Sequence, residues 1–422
     1  MSAHAPGGRA IYIIFATVLI DTIGFGIIIP VMPDLLMELT GKDLAGASVY
    51  SGALFFSFAL AQFFCAPVLG NLSDRFGRRP VILGSLFAFG LDYLVMGSSN
   101  WIGWLFVGRV VAGIAGAAYT PAYAYIADIS PPEKRAQNFG LIGAAFGAGF
   151  IIGPAIGGLL GSLGPRAPFF VAGGMALLNF ACGWFLLPET LVPSARRPFQ
   201  WSRANPLGTL MQLRKYPVVL GLLAVTFLWQ LAMQVYPSTW SFFTMLRFGW
   251  SEAAVGYSLA FVGVIMVITQ GGLTRILIPR VGGERPAAII GMLAGGASFL
   301  GYALATDGWM MYVWMLSWLL AGLAYPSLNA LLSRQVPPSA QGELQGGVAS
   351  LYSLTSIVGP PMLTQALAHF SSPRAPIYFP GAAFLTAAML AFASVLLLSR
   401  ATRASASPAG ATPTAVAPID GE

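Results

Sequence analysis

Runs of about twenty apolar residues recur along nearly the whole 422-residue chain, separated by short loops that hold almost all of the charge. A helix needs a run of about that length to cross a bilayer. Only 9% of the residues are charged and 56% are hydrophobic, whereas an ordinary soluble domain carries roughly 25% charged residues. Too little polar surface exists to cover a water-soluble globule, so the expected class is an all-α membrane protein. Spans are predicted at 11–33, 48–71, 80–98, 101–125, 137–162, 168–188, 217–240, 253–275, 286–305, 309–332, 343–368 and 376–399. The first run is too long for a signal-peptide core and has no small-residue cleavage site behind it, so it reads as a retained helix.

Twelve helices fall into two groups of six. The expected organisation is an N-terminal bundle (1–188), a polar connecting loop (189–216) with Arg196, Arg197, Arg203, Arg214 and Lys215, a C-terminal bundle (217–400) and a tail (401–422). The tail is rich in Ala, Ser, Thr and Pro without apolar periodicity and is expected to be disordered and cytoplasmic. Of 22 Lys and Arg residues, Lys42, Arg166, Arg247 and Arg374 fall on one side of the predicted membrane and Arg109 inside a helix. All the others lie on the side of both termini, which the positive-inside rule places in the cytoplasm. The net charge of +7 thus sets orientation and gives no reason to expect nucleic acid. Cys65 and Cys182 lie within apolar runs, which suggests packing and neither a disulfide framework nor a metal site.

The halves are related by an internal repeat at a constant offset of 206 residues. Pro131-Pro132 and Gly140 match Pro337-Pro338 and Gly346; Gly153-Pro154 matches Gly359-Pro360; Gly77 and Pro80 match Gly283 and Pro286. Such repeats are typical of secondary transporters, with substrate bound between them near the bilayer midplane.

Several residues carry chemistry. In the loop after the second span, Gly70, Asp74, Arg75, Gly77, Arg78 and Arg79 combine turn-forming glycines, an acid near a helix start and three guanidinium groups. They form either a conformational latch or a positive inside loop with a helix cap. Arg109 lies well inside the fourth span, followed by Gly113 and Gly116; a guanidinium stays charged, so it must face a wet cavity or pair with an acid. In the fifth span Gly149, Gly153, Gly157 and Gly158 offer a side-chain-free face and Pro154 invites a bend, which serves helix packing or a moving contact. Asp21 and Asp92 stand in apolar helices where an ionised carboxyl is expensive, so each is suited to bind and release a proton or to make a structural hydrogen bond. Gln62, Tyr119, Tyr123, Gln230, Gln234, Gln270 and Asn329 are polar at membrane depth, with Asn179 and Tyr325, and either line a cavity or join helices.

The loop at Asp74, the Arg109 run and the fifth-span glycines resemble motifs of the major facilitator superfamily, the last being characteristic of its antiporters. From the first span to Pro360 the chain is similar to the tetracycline/proton antiporter group. The matching stretches include Asp21 through Pro33, Leu91-Asp92-Tyr93, Ile126-Ala127-Asp128, Ala167-Pro168-Phe169-Phe170, Leu186-Leu187-Pro188-Glu189 and Ser333-Arg334-Gln335-Val336. The resemblance implies two pseudo-symmetric six-helix bundles working by alternating access. Protons would enter as a small drug-like molecule leaves, with Asp21, Asp92 and Arg109 in proton coupling and Gln62 at the substrate. No cofactor is expected, the partners being the substrate, protons and the bilayer, and the unit a monomer in the bacterial inner membrane. The sequence departs from that group at Met266, where the group has a histidine, and at Gly295, where it has an aspartate. The fourth span reads Ala115-Gly116-Ala117-Ala118-Tyr119-Thr120-Pro121 in place of a threonine-glycine-rich stretch. A changed cavity lining implies an altered or broader substrate than tetracycline. A proton symporter of a sugar or other organic solute would use the same fold but leave the fifth-span glycines unexplained. An enzyme is not expected, since His4 and His369 are far apart and no cofactor fingerprint occurs; a filter loop and a nucleotide-binding loop are likewise missing from the sequence.

Overall fold

The computed structural model describes residues 7–117, 119–131, 134–200, 217–337 and 340–404. Much of the expected connecting loop (201–216), most of the expected tail (405–422), His4, Pro132 and Pro338 lie outside the described residues. Among the described residues twelve long helical segments follow one another: α1 Gly7–Ile27, α2 Leu44–Phe76, α3 Arg78–Ser98, α4 Ile102–Ile129, α5 Arg135–Gly161, α6 Ala167–Leu186, α7 Val219–Phe248, α8 Glu252–Arg280, α9 Glu284–Leu304, α10 Gly308–Ser333, α11 Gln341–Ser371 and α12 Ala382–Ala404. Eleven are long and apolar enough to cross a membrane. The other, α11, is 31 residues long but carries many Ser, Thr, Gly and Gln side chains. Buried Thr355 and Thr364 bond within the helix, Thr364 Oγ1 donating to the Pro360 carbonyl (2.8 Å).

Four boundaries differ from expectation: α7 runs past the predicted 240 to Phe248, α12 starts at Ala382 where 376 was expected, and two more are at the first span and the tail. The first span was expected to reach Pro33, but α1 ends at Ile27, residues 28–31 form a turn, and Met32–Thr40 is a separate short helix with proline in its first turn. The tail was expected from 401, yet α12 continues to Ala404.

Prolines explain three of the interruptions within spans. A proline ring clashes with the carbonyl four residues earlier. Turns interrupt α4 at Ala117 and α10 at Gly322, four residues before Pro121 and Pro326, and α7 between Met233 and Val235, beside the corresponding position for Pro237. In α8 the π-helical turn Thr269–Leu273 contains Gly271 and Gly272 and leaves Gln270 exposed.

Pairing follows the repeat. Within the first half α1 lies along α5 and α6, α3 along α6 and α4; within the second α12 lies along α9 and α7. The halves meet along two seams, α2 with α11 and α5 with α8. Both seams use the same device: Gly256 admits the Pro154 carbonyl, and Gly52 admits the Pro360 carbonyl and the Thr364 side chain, so that any Cβ at either glycine would collide. A ring cluster of Trp240, Tyr302, Phe243, Phe299 and Phe384 fills the second half; Tyr93, Tyr125 and Phe169 are buried in the first. Outward-facing Leu178, Phe185 and Leu396 form the apolar exterior a bilayer requires. Cys182, expected as a packing residue, is exposed on that exterior.

Candidate functional site

At the Arg78 end, Gly77 takes φ +112°, and a Cβ there would strike the Glu189 carboxylate. That carboxylate, from the end of α6, accepts the backbone N–H groups of Arg78 (2.9 Å) and Arg79 (3.3 Å), capping α3. The sequence reading gave the cap to Asp74; Asp74 instead accepts from Arg78 Nη1 at 2.5 Å. Arg78 Nε also donates to Asp128 at the end of α4 (3.3 Å), and Arg79 donates to the Trp184 carbonyl (2.5 Å). Gly70 contributes a carbonyl to Ser73 Oγ (2.8 Å), while Arg75 is exposed over the Phe76 ring and outside this network. The repeat extends to charge. At the same 206-residue offset, Gly283 (φ +104°) precedes α9, and Glu284 pairs with Arg334, the Arg78–Asp128 pair with its signs exchanged.

Along α5 the glycines form the contact face toward α1 and α8. A Cβ at Gly149, Gly153 or Gly157 would press into the α1 backbone or Thr22, and one at Gly158 would reach the Glu252 backbone of α8. Pro154 lies between, its ring against Gly26 and its carbonyl against Gly256. The halves are in contact at this end, which also carries Asp34 beside Glu252. Burial and the neighbouring Glu252 carboxyl push the Asp34 carboxyl up to about 7.

Two charged centres lie inside the first half. The Tyr119 hydroxyl lies against the Asp21 carboxylate and the Thr22 hydroxyl, beside a small cavity lined also by Thr17, Ser85 and Phe89. On α3, Asp92 is buried with Oδ2 3.8 Å from Arg109 Nη2 on α4. Neither Asp92 oxygen has a hydrogen-bond donor among the described residues. Arg109 approaches Met96 Sδ (3.5 Å), stacks over Phe58 (5.9 Å) and lines a second small cavity with Ser51, Pro237 and Ser241, so it reaches the other half. Gly108 makes the pair possible, since a Cβ there would overlap Asp92 Oδ1. Tyr93 stands between the centres, next to Gly24. At the offset positions of Asp92 and Arg109 the second half has Ser298 and Met315, so it carries no corresponding charge.

Between the halves is a cavity of about 380 Å³, lined by Phe146 and Phe150 of α5, Met233 and Tyr236 of α7, Met266 and Gln270 of α8, and Trp318 of α10. The lining is almost wholly apolar, a surface for a flat hydrophobic ligand. Of the polar residues singled out in the sequence, Gln270 lines this cavity and Tyr119 sits at Asp21. Tyr123 is exposed near Tyr325 across the gap, and Gln62 packs beside Gly116. Gln234 Nε2 donates to Ser356 Oγ (2.7 Å) and Asn179 Nδ2 to the Thr17 carbonyl (3.0 Å), both joining helices. Gln230 and Asn329 are half-buried and apart from the cavity lining. Among the described residues no three His, Cys, Asp or Glu side chains gather as a metal site would need. Sequence reasoning missed Phe146, Phe150, Tyr236 and Trp318, whose only signal is aromatic character in apolar helices.

The profile of the Major Facilitator Superfamily matches residues 14–306 and 276–419. The chain is 43% identical over 364 residues to the class C tetracycline resistance protein of Escherichia coli, covering 86% of this chain and 91% of that one. It is 28% identical to multidrug resistance protein 2 of Bacillus subtilis (strain 168), covering 82% and 86%. In fold it is similar to the human organic anion transporter MFSD10, with a TM-score of 0.68 at 24% identity over 94% of this chain and 100% of that one. The chain is a multi-pass membrane protein that belongs to the Major Facilitator Superfamily, within reach of its tetracycline resistance proteins.

Proposed function

We propose that the protein is a proton-driven antiporter that exports a flat, amphipathic drug, tetracycline or a broader set, by alternating access. The reading rests on one juxtaposition: two acid-bearing centres, Asp21 with Tyr119 and Asp92 with Arg109, sit in the half that supplies Phe146 and Phe150 to an apolar cavity between the halves. In this reading the Arg78 end faces the cytoplasm with both termini, the seams at Gly52 and Gly256 seal the outer end, and the protein works as a monomer in the inner membrane. The latch at Arg78, the glycine face of α5 and the proton centres are then the moving contacts and the coupling groups.

The second half favours a substrate set broader than tetracycline alone. A Cβ at Gly295 would stand 2.5 Å from the Trp229 ring, so the indole occupies the space an acid would need. Met266, which the resemblance sets where the group has a histidine, lines the cavity.

Everted vesicles with an acid interior provide the test. Uptake of tetracycline with magnesium that a protonophore abolishes is the expected result. Uptake of ethidium alone would keep the exporter and change its substrate, and protonophore-insensitive behaviour of both would reject proton-driven export.

A further inference from the structure

We infer that Tyr119 is the positioning residue through which the protonation state of Asp21 reaches the drug cavity. The inference rests on the proton-coupled reading above and assigns the connection that reading leaves open.

Tyr119 touches both sites. Its hydroxyl lies against the Asp21 carboxylate, and its ring meets Phe146 edge-on, with centroids 6.4 Å apart and planes at 71°. Phe146 is 44% exposed and forms the cavity wall with Phe150, on which it stacks at 6.1 Å and 17°. The line of rings continues from Phe150 to Phe25 (6.5 Å), from Phe25 to Phe58 (6.2 Å), and ends under the Arg109 guanidinium. One aromatic row thus joins the two charged centres and presents its middle to the ligand.

The chemistry of the hydrogen bond supplies the switch. An ionised Asp21 is acceptor-only and holds the Tyr119 O–H toward it. A protonated Asp21 is neutral and can donate as well as accept, so the charge-assisted hold on the Tyr119 O–H weakens. When the phenol oxygen leaves Asp21 the ring goes with it, because the oxygen is fixed in the ring plane, and Phe146 repacks against the new ring position. By linkage, a ligand that favours one ring position favours one protonation state of Asp21 to the same extent. The titratable groups facing Asp21 are Tyr119 from α4 and Tyr93 from α3, with the Asp92–Arg109 pair beyond Tyr93. α5 offers Gly149 and Gly153 to this stretch of α1, and α6 offers the amide of Asn179.

The test is equilibrium binding of tetracycline with magnesium, and of ethidium in parallel, to purified full-length protein from pH 5 to 9. In wild type, affinity is expected to fall on acidification by about tenfold per pH unit over the titration range, one proton competing with one ligand. Tyr119→Phe keeps the ring and removes the hydroxyl; Phe146→Leu keeps the hydroxyl contact and removes the ring contact. Each is expected to cut the slope below about threefold per unit. The slope is the quantity read, so weaker binding at every pH leaves the comparison intact. A purely structural Tyr119 would shift the curve without flattening it. Wild-type slope retained in both variants would overturn the inference while leaving proton coupling standing; a flat wild type would overturn both.

Discussion

Replacing Arg78 with glutamate places another acid at a junction that already contains Asp74, Asp128 and Glu189. The Arg78 side chain is 11% exposed, against 35% for Asp74 and 28% for Asp128. A fully exposed ion pair is worth 0 to about 1 kcal/mol, and breaking a buried one costs about 3–5 kcal/mol. Partners a quarter to a third exposed fall between these limits, so loss of the cation with added repulsion should cost about 2–3 kcal/mol. Adding Asp128→Arg reproduces in the first half the sign order that Glu284 and Arg334 already have in the second. The double reversal should recover about 1–2 kcal/mol. Recovery stays partial because Asp74, which bonds Arg78 at 2.5 Å, would then face an acid. Thermal unfolding of the purified protein, for wild type, both single variants and the double, closes the cycle. A double variant no more stable than the sum of the singles would show that positions 78 and 128 are not coupled and would refute the mirrored latch.

Two further outcomes follow from packing and charge. Gly157→Leu drives a branched side chain into the Ile27 carbonyl, so α1 and α5 must separate; transport should fall at least tenfold while Gly143→Leu, at an open position, stays near wild type, as vesicle uptake will show. At the sealed end the Asp34 carboxyl is pushed up to about 7 from an ordinary 3.8, so between those values the sealed form holds a proton that a separated form releases. That stabilisation is present on the acid side and lost as pH rises through about 7. Electron resonance distances between spin labels at Lys42→Cys and Thr306→Cys should report more of the sealed form at pH 5 than at pH 8, and Asp34→Asn should flatten the response. An unchanged response in that variant would remove Asp34 from the seal.

The helices were legible because apolar runs of span length have few other uses, and nine of the twelve spans lie within five residues of their predicted ends. The first, seventh and twelfth were less legible. Pro30 and Pro33 end α1 early and start the short helix, and α7 runs past its predicted end at 240 to Phe248 because Pro237 breaks the helix without ending the span. The offset of 206 was visible in glycines and prolines, whose backbone roles repeat, whereas the exchanged signs of Arg78–Asp128 and Glu284–Arg334 emerge only once the pairs are seen in contact. Asp21, Asp92 and Arg109 stood out because charge is rare in apolar helices. Phe146, Phe150, Tyr236 and Trp318 did not, since 13% of the chain is aromatic and most rings face lipid or core. Gln234 shows the converse: a polar residue at membrane depth that looks like lining and instead bonds Ser356.

The central claim, that drug and proton move in opposite directions through Asp21, is tested most directly in proteoliposomes with a pH indicator inside and no imposed proton gradient. A tetracycline–magnesium gradient directed inward should drive protons outward and alkalinise the lumen, and Asp21→Asn should abolish the signal. Acidification of the lumen on drug entry, or an undiminished signal in Asp21→Asn, would contradict the account.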